Sequence, residues 1–221
     1  EAMGGLSPQS PVDGQTANLV AQEETLTRTA VLRAAKDALP EFFVEDFGAV
    51  GDGTTDDLNA FQLAIDAAYA ANGGRVVTTP GVQYGLAGRL RVKYGTTLDM
   101  GDARGRGMLI ARSTTAGIDL EAGGHVRATF AATRSVYTGP ALELSTSRSE
   151  NQFSPGRRKA SYQIAIQLGC QPGSVGVRLH SSSGGLAWTR GTAEVIEADY
   201  PLVLAAESGG YVNENDITLT A

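Results

Sequence analysis

A single cysteine, Cys170, is present in 221 residues, so no intrachain disulfide and no multi-cysteine metal site can hold this chain together. Histidine is nearly as scarce. Only His125 and His180 could serve a thiol as a base, and Cys170 reads as an ordinary strand or loop residue. Long apolar runs are missing as well. The stretch around Leu202–Ala206 is typical, and it falls far short of the ~20 residues a membrane-spanning helix requires, so no membrane insertion is expected. Positive charge is not in excess. Acidic residues outnumber basic ones 24 to 18, and a formal net charge of −6 offers no broad attraction to nucleic acid, which is not an expected partner. Glu1 stands where an initiating Met would, and no charged-then-apolar leader follows it, so the chain is expected to be processed or excerpted.

What is plentiful is glycine. Its 28 copies punctuate short alternating runs along most of the length, a pattern of many turns, while a 42% hydrophobic content is enough to bury a sizeable core. Residues 1–24, rich in Gly, Ser, Pro, Gln and Asn, show no stable period and read as a linker or arm. From Thr25 to Leu39 the residues Leu26, Ala30, Val31, Ala34, Ala35 and Ala38 share one helical stripe, which Pro40 ends. This narrow, Ala-rich face suits close approach to another helix, either a copy of itself in an oligomer or its own domain. A Gly- and Asp-rich loop then leads into a second helix with Leu58, Phe61, Ile65 and Ala68 at helical spacing. Thr55 or Asp56 is expected to cap it, Asp56 and Asp57 to complement its dipole, and Gly73 and Gly74 to end it.

Everything after Gly74 alternates as strands do. Leu90, Val92 and Tyr94 oppose Arg91 and Lys93; Ile118 and Leu120 oppose Asp119 and Glu121; and the pattern continues through Val126, Ala128 and Phe130, then Ile164, Ile166 and Leu168. Val175, Val177 and Leu179, and finally Tyr200, Leu202 and Leu204, extend it. With no helix in about 145 residues a doubly wound α/β fold is excluded, which leaves a sandwich, a barrel or a β-solenoid. In the last run, YVNENDITLT, Asn213 and Asn215 share a face with Tyr211, Ile217 and Leu219. Stacked coils would supply the partners their amides need, and a polar strand end near solvent is the alternative.

The stretch from Asp46 to Asp66, DFGAVGDGTTDDLNAFQLAID, closely resembles the N-terminal signature of the pectate-lyase-like β-helix superfamily, in the version that opens phage tailspike and tail-fibre depolymerase domains. The resemblance continues in GGRVVTTPGVQY, and the terminal GYVNEN is similar to aromatic-plus-asparagine segments of phage spikes. Together these cover roughly a fifth of the chain; Leu58 and Thr79 depart mildly from the pattern. The resemblance implies a mainly β fold, a right-handed parallel β-helix, in residues 44–221, with a capping helix at about 55–72 and coils from about 75. Residues 1–43 would form the arm and an assembly segment. Gly48, Gly51 and Gly53 would turn the chain into the cap, and Asp52, Asp56, Asp57 and Phe61 would belong to it. The spacing of those aspartates matches no known calcium loop, and neither a metal nor any cofactor is expected.

Cleavage of a polysaccharide by hydrolysis needs two carboxylates across a groove. Glu194, Glu197 and Asp199 lie close together in sequence beside Trp188 and Arg190, and an aromatic with a cation suits a sugar platform; solvated strand edges are the plainer reading. Glu143, Glu121 and Asp119 are weaker candidates. The polar interruption from Ser145 to Ser161 carries Arg157, Arg158 and Lys159, which could grip an acidic glycan or a neighbouring subunit or simply form a solvated loop. No motif singles out a lyase base. Given the resemblance, the leading expectation is a homotrimeric, virion tail-associated module that recognises a bacterial surface glycan and contacts other tail proteins through residues 1–43. A depolymerase with its groove in or beyond this segment is the enzymatic rival, and a purely structural virion connector is the third reading.

Overall fold

The computed structural model describes residues 39–101, 107–121, 123–132, 137–146, 160–181, 184–187, 189–206, 210–213 and 216–220, with backbone alone for 145–146, 160, 170–171, 181–191 and from 205 onward. The chain separates into two units, Glu1–Leu39 and Pro40–Ala221. The expected arm and the amphipathic stretch lie, up to residue 38, outside the described residues.

Fifteen described strands follow one another: β1 (Glu41–Phe43), β2 (Asp52–Asp56), β3 (Gly74–Val77), β4 (Gln83–Leu86), β5 (Arg89–Val92), β6 (Thr96–Asp99), β7 (Met108–Ala111), β8 (Gly117–Leu120), β9 (His125–Ala131), β10 (Pro140–Thr146), β11 (Ala160–Ser181), β12 (Gly184–Ala187), β13 (Thr189–Ala206), β14 (Gly210–Asn213) and β15 (Asp216–Thr220). Every described pairing is parallel and joins strands from successive turns of the chain. The fold is a parallel β-helix. One ladder runs β1-β3-β6-β9-β11-β13-β15, a second β2-β4-β7-β9, and a third β5-β8-β10 and on through the later halves of β11 and β13.

Register positions Arg75, Thr97, His125, Ser161, Arg190 and Asp216 fall one above another, in steps of 22, 28, 36, 29 and 26 residues. The long step carries the polar interruption, whose residues 147–159 lie outside the described ones. Because side chains alternate across a strand, each rung sends the same parity inward. Leu90, Ile118, Leu142 and Val177 form one inner column and Val92, Leu120, Leu144 and Leu179 the next, all buried. Burying each such side chain contributes roughly 1.5–3 kcal/mol, offset by the backbone entropy lost in ordering the coil.

Three positions read as buried from alternation are exposed. Tyr94 lies beyond the end of β5, in a turn closed by the Thr96 N–H and hydroxyl donating to the Lys93 carbonyl. Tyr200 and Leu204 continue the columns of Val175 and Leu179, but no described strand stacks on their far side, and Tyr200 stays 53% exposed. The side chains of Asn213 and Asn215 lie outside the described ones.

The helix Leu58–Ala70 packs Phe61, Ala64, Ile65 and Ala68 into the same core as the first coils, with the Phe61 ring edge-on to Tyr84 at 5.1 Å. It is a cap in the hydrogen-bonding sense too. The Gln62 amide accepts from the Arg91 N–H at 3.0 Å and donates to the Arg91 carbonyl at 3.3 Å, so one side chain covers the edge of β5, which among the described strands pairs with β8 alone.

The helix start differs from expectation. Asp57, not Thr55 or Asp56, occupies the N-cap position; its carbonyl accepts from Phe61 N–H at 3.1 Å but its side chain makes no bond to the helix, and the first-turn N–H of Leu58 is taken by Asp56 instead, at 3.2 Å. Asp57 turns inward, 2% exposed, and accepts from the N–H groups of Val50 (2.7 Å), Gly51 (3.3 Å) and Gly85 (3.2 Å). At the other end Asn72 takes the left-handed conformation (φ 63°), so the helix stops before the two glycines.

Candidate functional site

The loop residues named from the sequence are each occupied with backbone. Asp52 accepts from the N–H of Thr55 (2.6 Å), the N–H of Thr54 (2.8 Å) and the Thr55 hydroxyl (2.8 Å), which hold its carboxyl well below the usual range. Asp56 also accepts from Ala87 N–H at 2.9 Å. Gly48, Gly51 and Gly53 all have positive φ, and at Gly51 a Cβ would collide with Val82. Their arrangement braces the turn into the cap.

Glu194, Glu197 and Asp199 are exposed on β13, each in its own surroundings. Glu194 stands in register with Ala165. Glu197 sits at a left-handed corner (φ 58°), where Gln167 donates to it at 3.5 Å. Asp199 is committed to the next corner: it accepts from Gly173 N–H at 2.8 Å, while its own N–H donates to Ser174. Trp188, Arg157, Arg158, Lys159 and the side chain of Arg190 lie outside the described residues.

A carboxylate pair does form elsewhere. On the outward face of the third ladder Glu143 stands directly above Asp119. Arg89 reaches both from the coil below: its Nε and Nη2 lie 2.7 and 2.6 Å from Asp119 Oδ1, and Nη2 is 3.5 Å from Glu143 Oε2. Those two carboxylate oxygens, sharing one nitrogen, are therefore no more than 6.1 Å apart. His180, two coils on from Asp119, places Nδ1 3.8 Å from Glu143 Oε1. Asp119 is 33% exposed and Glu143 19%, so a molecule lying on the sheet could touch both.

Gly117 makes this possible. Arg89 and Gly117 are in register, and the guanidinium passes over the glycine to donate to the carbonyls of Pro140 (3.0 Å) and Ile118 (3.3 Å). A Cβ at Gly117 would sit 2.8 Å from Arg89 Nη1 and collide with the Pro140 carbonyl oxygen. Arg89 and Gly117 escaped the sequence reading, which weighed His180 only as a base for Cys170; the signal for Arg89 was its outward parity on its strand.

Flanking the pair, Arg91 binds Glu121, whose other oxygen accepts from Tyr94 N–H at 3.2 Å. Lys93 reaches Asp66 of the cap helix at 2.9 Å and lies 5.1 Å from the centre of the Tyr69 ring. Burial pushes the Asp66 carboxyl up, and the bonds from Lys93 and Gln62 outweigh it, for a net lowering. The first ladder carries a separate charged run, with Asp99 between Arg127 (2.8 Å) and Arg75 (3.4 Å).

A family model described as rhamnogalacturonase A/epimerase, pectate lyase-like, matches residues 42–167, more than half of the chain. The chain belongs to this family. Among curated proteins, the mannuronan C5-epimerase AlgE5 of Azotobacter vinelandii is 54% identical over 48 residues, 22% of this chain and 5% of that protein. Alginate lyase 7 of the same organism is likewise 54% identical over 48 residues, 22% and 6% respectively. The capsule KN3-specific depolymerase 1 of Klebsiella phage KN3-1 is 36% identical over 76 residues, 34% of this chain and 10% of that protein. The matched stretch thus spans about a twentieth of the first of these relatives. Among solved structures, the A-module of the A. vinelandii epimerase AlgE4 aligns with 79% of this chain and 51% of its own at 22% identity and a TM-score of 0.35.

Proposed function

We propose that this chain is the polysaccharide-binding β-helix of a phage tail-associated protein, acting outside the cell on a bacterial surface glycan. The observation that carries the reading is the 76-residue similarity to a phage depolymerase named for a capsule type, within a family named for polysaccharide-modifying enzymes. The outward charged face of the third ladder supports it, since an exposed parallel sheet with alternating cations and carboxylates offers many hydrogen-bonding groups to a chain of sugars. Homotrimerisation and attachment to tail proteins through residues 1–43 belong to the same proposal. Labelled chain should bind one or more members of a panel of purified capsule and O-antigen polysaccharides and alginate, and soluble glycan should compete. Silence across the panel, with firm binding to a tail component, would make the chain a virion connector instead.

A second reading, cleavage of the bound glycan, is favoured by one specific feature: the Asp119 and Glu143 carboxylates held on a single guanidinium.

A further inference from the structure

We infer that Asn72 is a site of spontaneous deamidation, held in check by the last turn of the cap helix, and that its conversion loosens the cap at the start of β3. Asn72–Gly73 is the only Asn–Gly pair in the sequence. The reaction needs a backbone nitrogen that can reach the asparagine side-chain amide from the next residue, and glycine, with no Cβ, obstructs that approach least.

The pair sits in a turn closed by two bonds. Asn72 N–H donates to the Tyr69 carbonyl and Gly73 N–H to that of Ala68, both at 3.0 Å, a crossed pattern that ends the helix with Asn72 as its left-handed residue. Asn72 is exposed, so water reaches its amide, whereas Gly73 is buried. Two features of the turn keep the nucleophile from its target. The Gly73 N–H proton, which has to leave before the nitrogen attacks, is held on the Ala68 carbonyl. Ring closure also requires the Gly73 nitrogen to swing into line with the Asn72 Cβ about the Cα–C bond, and the left-handed conformation turns it away. The reaction therefore runs through opening of the last helical turn, at the intrinsic rate multiplied by the fraction of molecules open.

In the open turn the Gly73 nitrogen loses its proton to solvent and bonds to the Asn72 Cγ. The bond from Cγ to the amide nitrogen breaks, and that nitrogen leaves as ammonia, completed by a proton from solvent. Water then adds to one of the two carbonyl carbons of the resulting succinimide as the ring nitrogen leaves. This gives aspartate where the original backbone is restored, and isoaspartate where the chain now runs through Cβ and Cγ. Nothing is oxidised or reduced, and one water is consumed for each ammonia freed.

Both products act on the cap. Aspartate sets a negative charge at the negative end of the helix dipole. Isoaspartate lengthens the backbone just before Gly74, where there is no slack: a Cβ at Gly74 would stand 2.7 Å from the Phe42 ring and 3.1 Å from Ala68, and Gly74 opens β3 in register with Thr96.

The purified chain would be incubated at mildly alkaline pH and physiological temperature, both folded and in urea, and the peptide holding Asn72 followed by mass spectrometry, with isoaspartate resolved by chromatography. In urea, conversion should match that of a short peptide of the same local sequence, and in the folded chain it should be slower by at least about tenfold. Sub-denaturing urea, and separately Phe61→Leu in the buried face of the helix, should speed conversion in the folded chain without altering the Asn–Gly pair. Asn72→Gly, which suits the left-handed position, should abolish conversion and leave the fold intact. Equal rates in folded and unfolded chain, or no conversion in urea, would overturn the gated site. Converted chain should melt at a lower temperature and exchange its amides faster at Gly73, Gly74 and Arg75, the isoaspartate form more so than Asn72→Asp. Unchanged melting and exchange after conversion would overturn the effect on the cap.

Discussion

Replacing Asp57 with alanine tests whether the loop that opens the family signature is pinned from inside. The carboxylate accepts three backbone N–H groups, from Val50, Gly51 and Gly85, at 2.7, 3.3 and 3.2 Å. These donors are not equal. Val50 lies at the surface, where water can replace a lost acceptor, but Gly85 N–H is in the buried interior of β4 and would be orphaned at a cost of about 1–3 kcal/mol. Adding partial losses at the other two gives about 3–4 kcal/mol, a large share of a typical stability of about 5–15 kcal/mol. At roughly 2–4 °C per kcal/mol for a unit of this size, Asp57→Ala should lower Tm by roughly 6–16 °C. Asp57→Asn keeps an acceptor oxygen of the same shape but turns an NH2 towards N–H donors, and about half that loss is expected. Urea unfolding should show a lower midpoint at an unchanged slope, and amide exchange should rise first at Val50, Gly51 and Gly85. A Tm within 2 °C of wild type for Asp57→Ala, or an Asn variant less stable than the Ala variant, would refute this account of the loop.

Gly117→Ala should be strongly destabilising, by about 2–4 kcal/mol, because the new methyl meets the Pro140 carbonyl oxygen and Arg89 between two coils that cannot spread without breaking the β8–β10 ladder; equilibrium unfolding reads the loss, and a near-neutral result would mean the rungs are softer than described. Ile118→Ala, at a fully buried rung between Leu90 and Leu142, should cost about 2–5 kcal/mol, again by denaturant unfolding. The Asp52 carboxyl titrates below its ordinary value when folded, so its contribution is complete above the ordinary carboxylate range near pH 4 and is lost as pH falls through the lowered value. Asp52→Asn should therefore narrow the stability difference between neutral pH and pH 3, and equal acid sensitivity in the two proteins would contradict that.

The parts legible in the sequence are those set by local chemistry. Inward parity on β5, β8, β9 and β11 follows from strict alternation, and the cap helix from Phe61, Ile65 and Ala68 at helical spacing. Alternation misled where a strand ended sooner than its pattern, as at Tyr94, or where a rung has no neighbour among the described strands, as at Tyr200 and Leu204. The inward turn of Asp57 was hidden because an aspartate before a helix has the same local signature whether it caps the helix or ties down a distant loop. Its partner Gly85 is 28 positions away.

The Asp119–Glu143 pair was illegible for a related reason. Register steps along the first ladder vary from 22 to 36 residues, and an error of one residue in a step exchanges the inner and outer faces of a strand. What fixes the step is the inner column, not the charged face. Ile118 beneath Leu142 and Leu120 beneath Leu144 lock β8 to β10, and Asp119 and Glu143, each between two of those residues, are carried into line as a consequence. Arg89 then reads the alignment from the coil below, through a gap that exists only because Gly117 has no side chain. The chemistry of the outer face is thus slaved to hydrophobic packing one residue away. A substitution in the column that shifts a rung should separate the carboxylates before it unfolds the coil, and loss of the Arg89 bridge should accompany that separation.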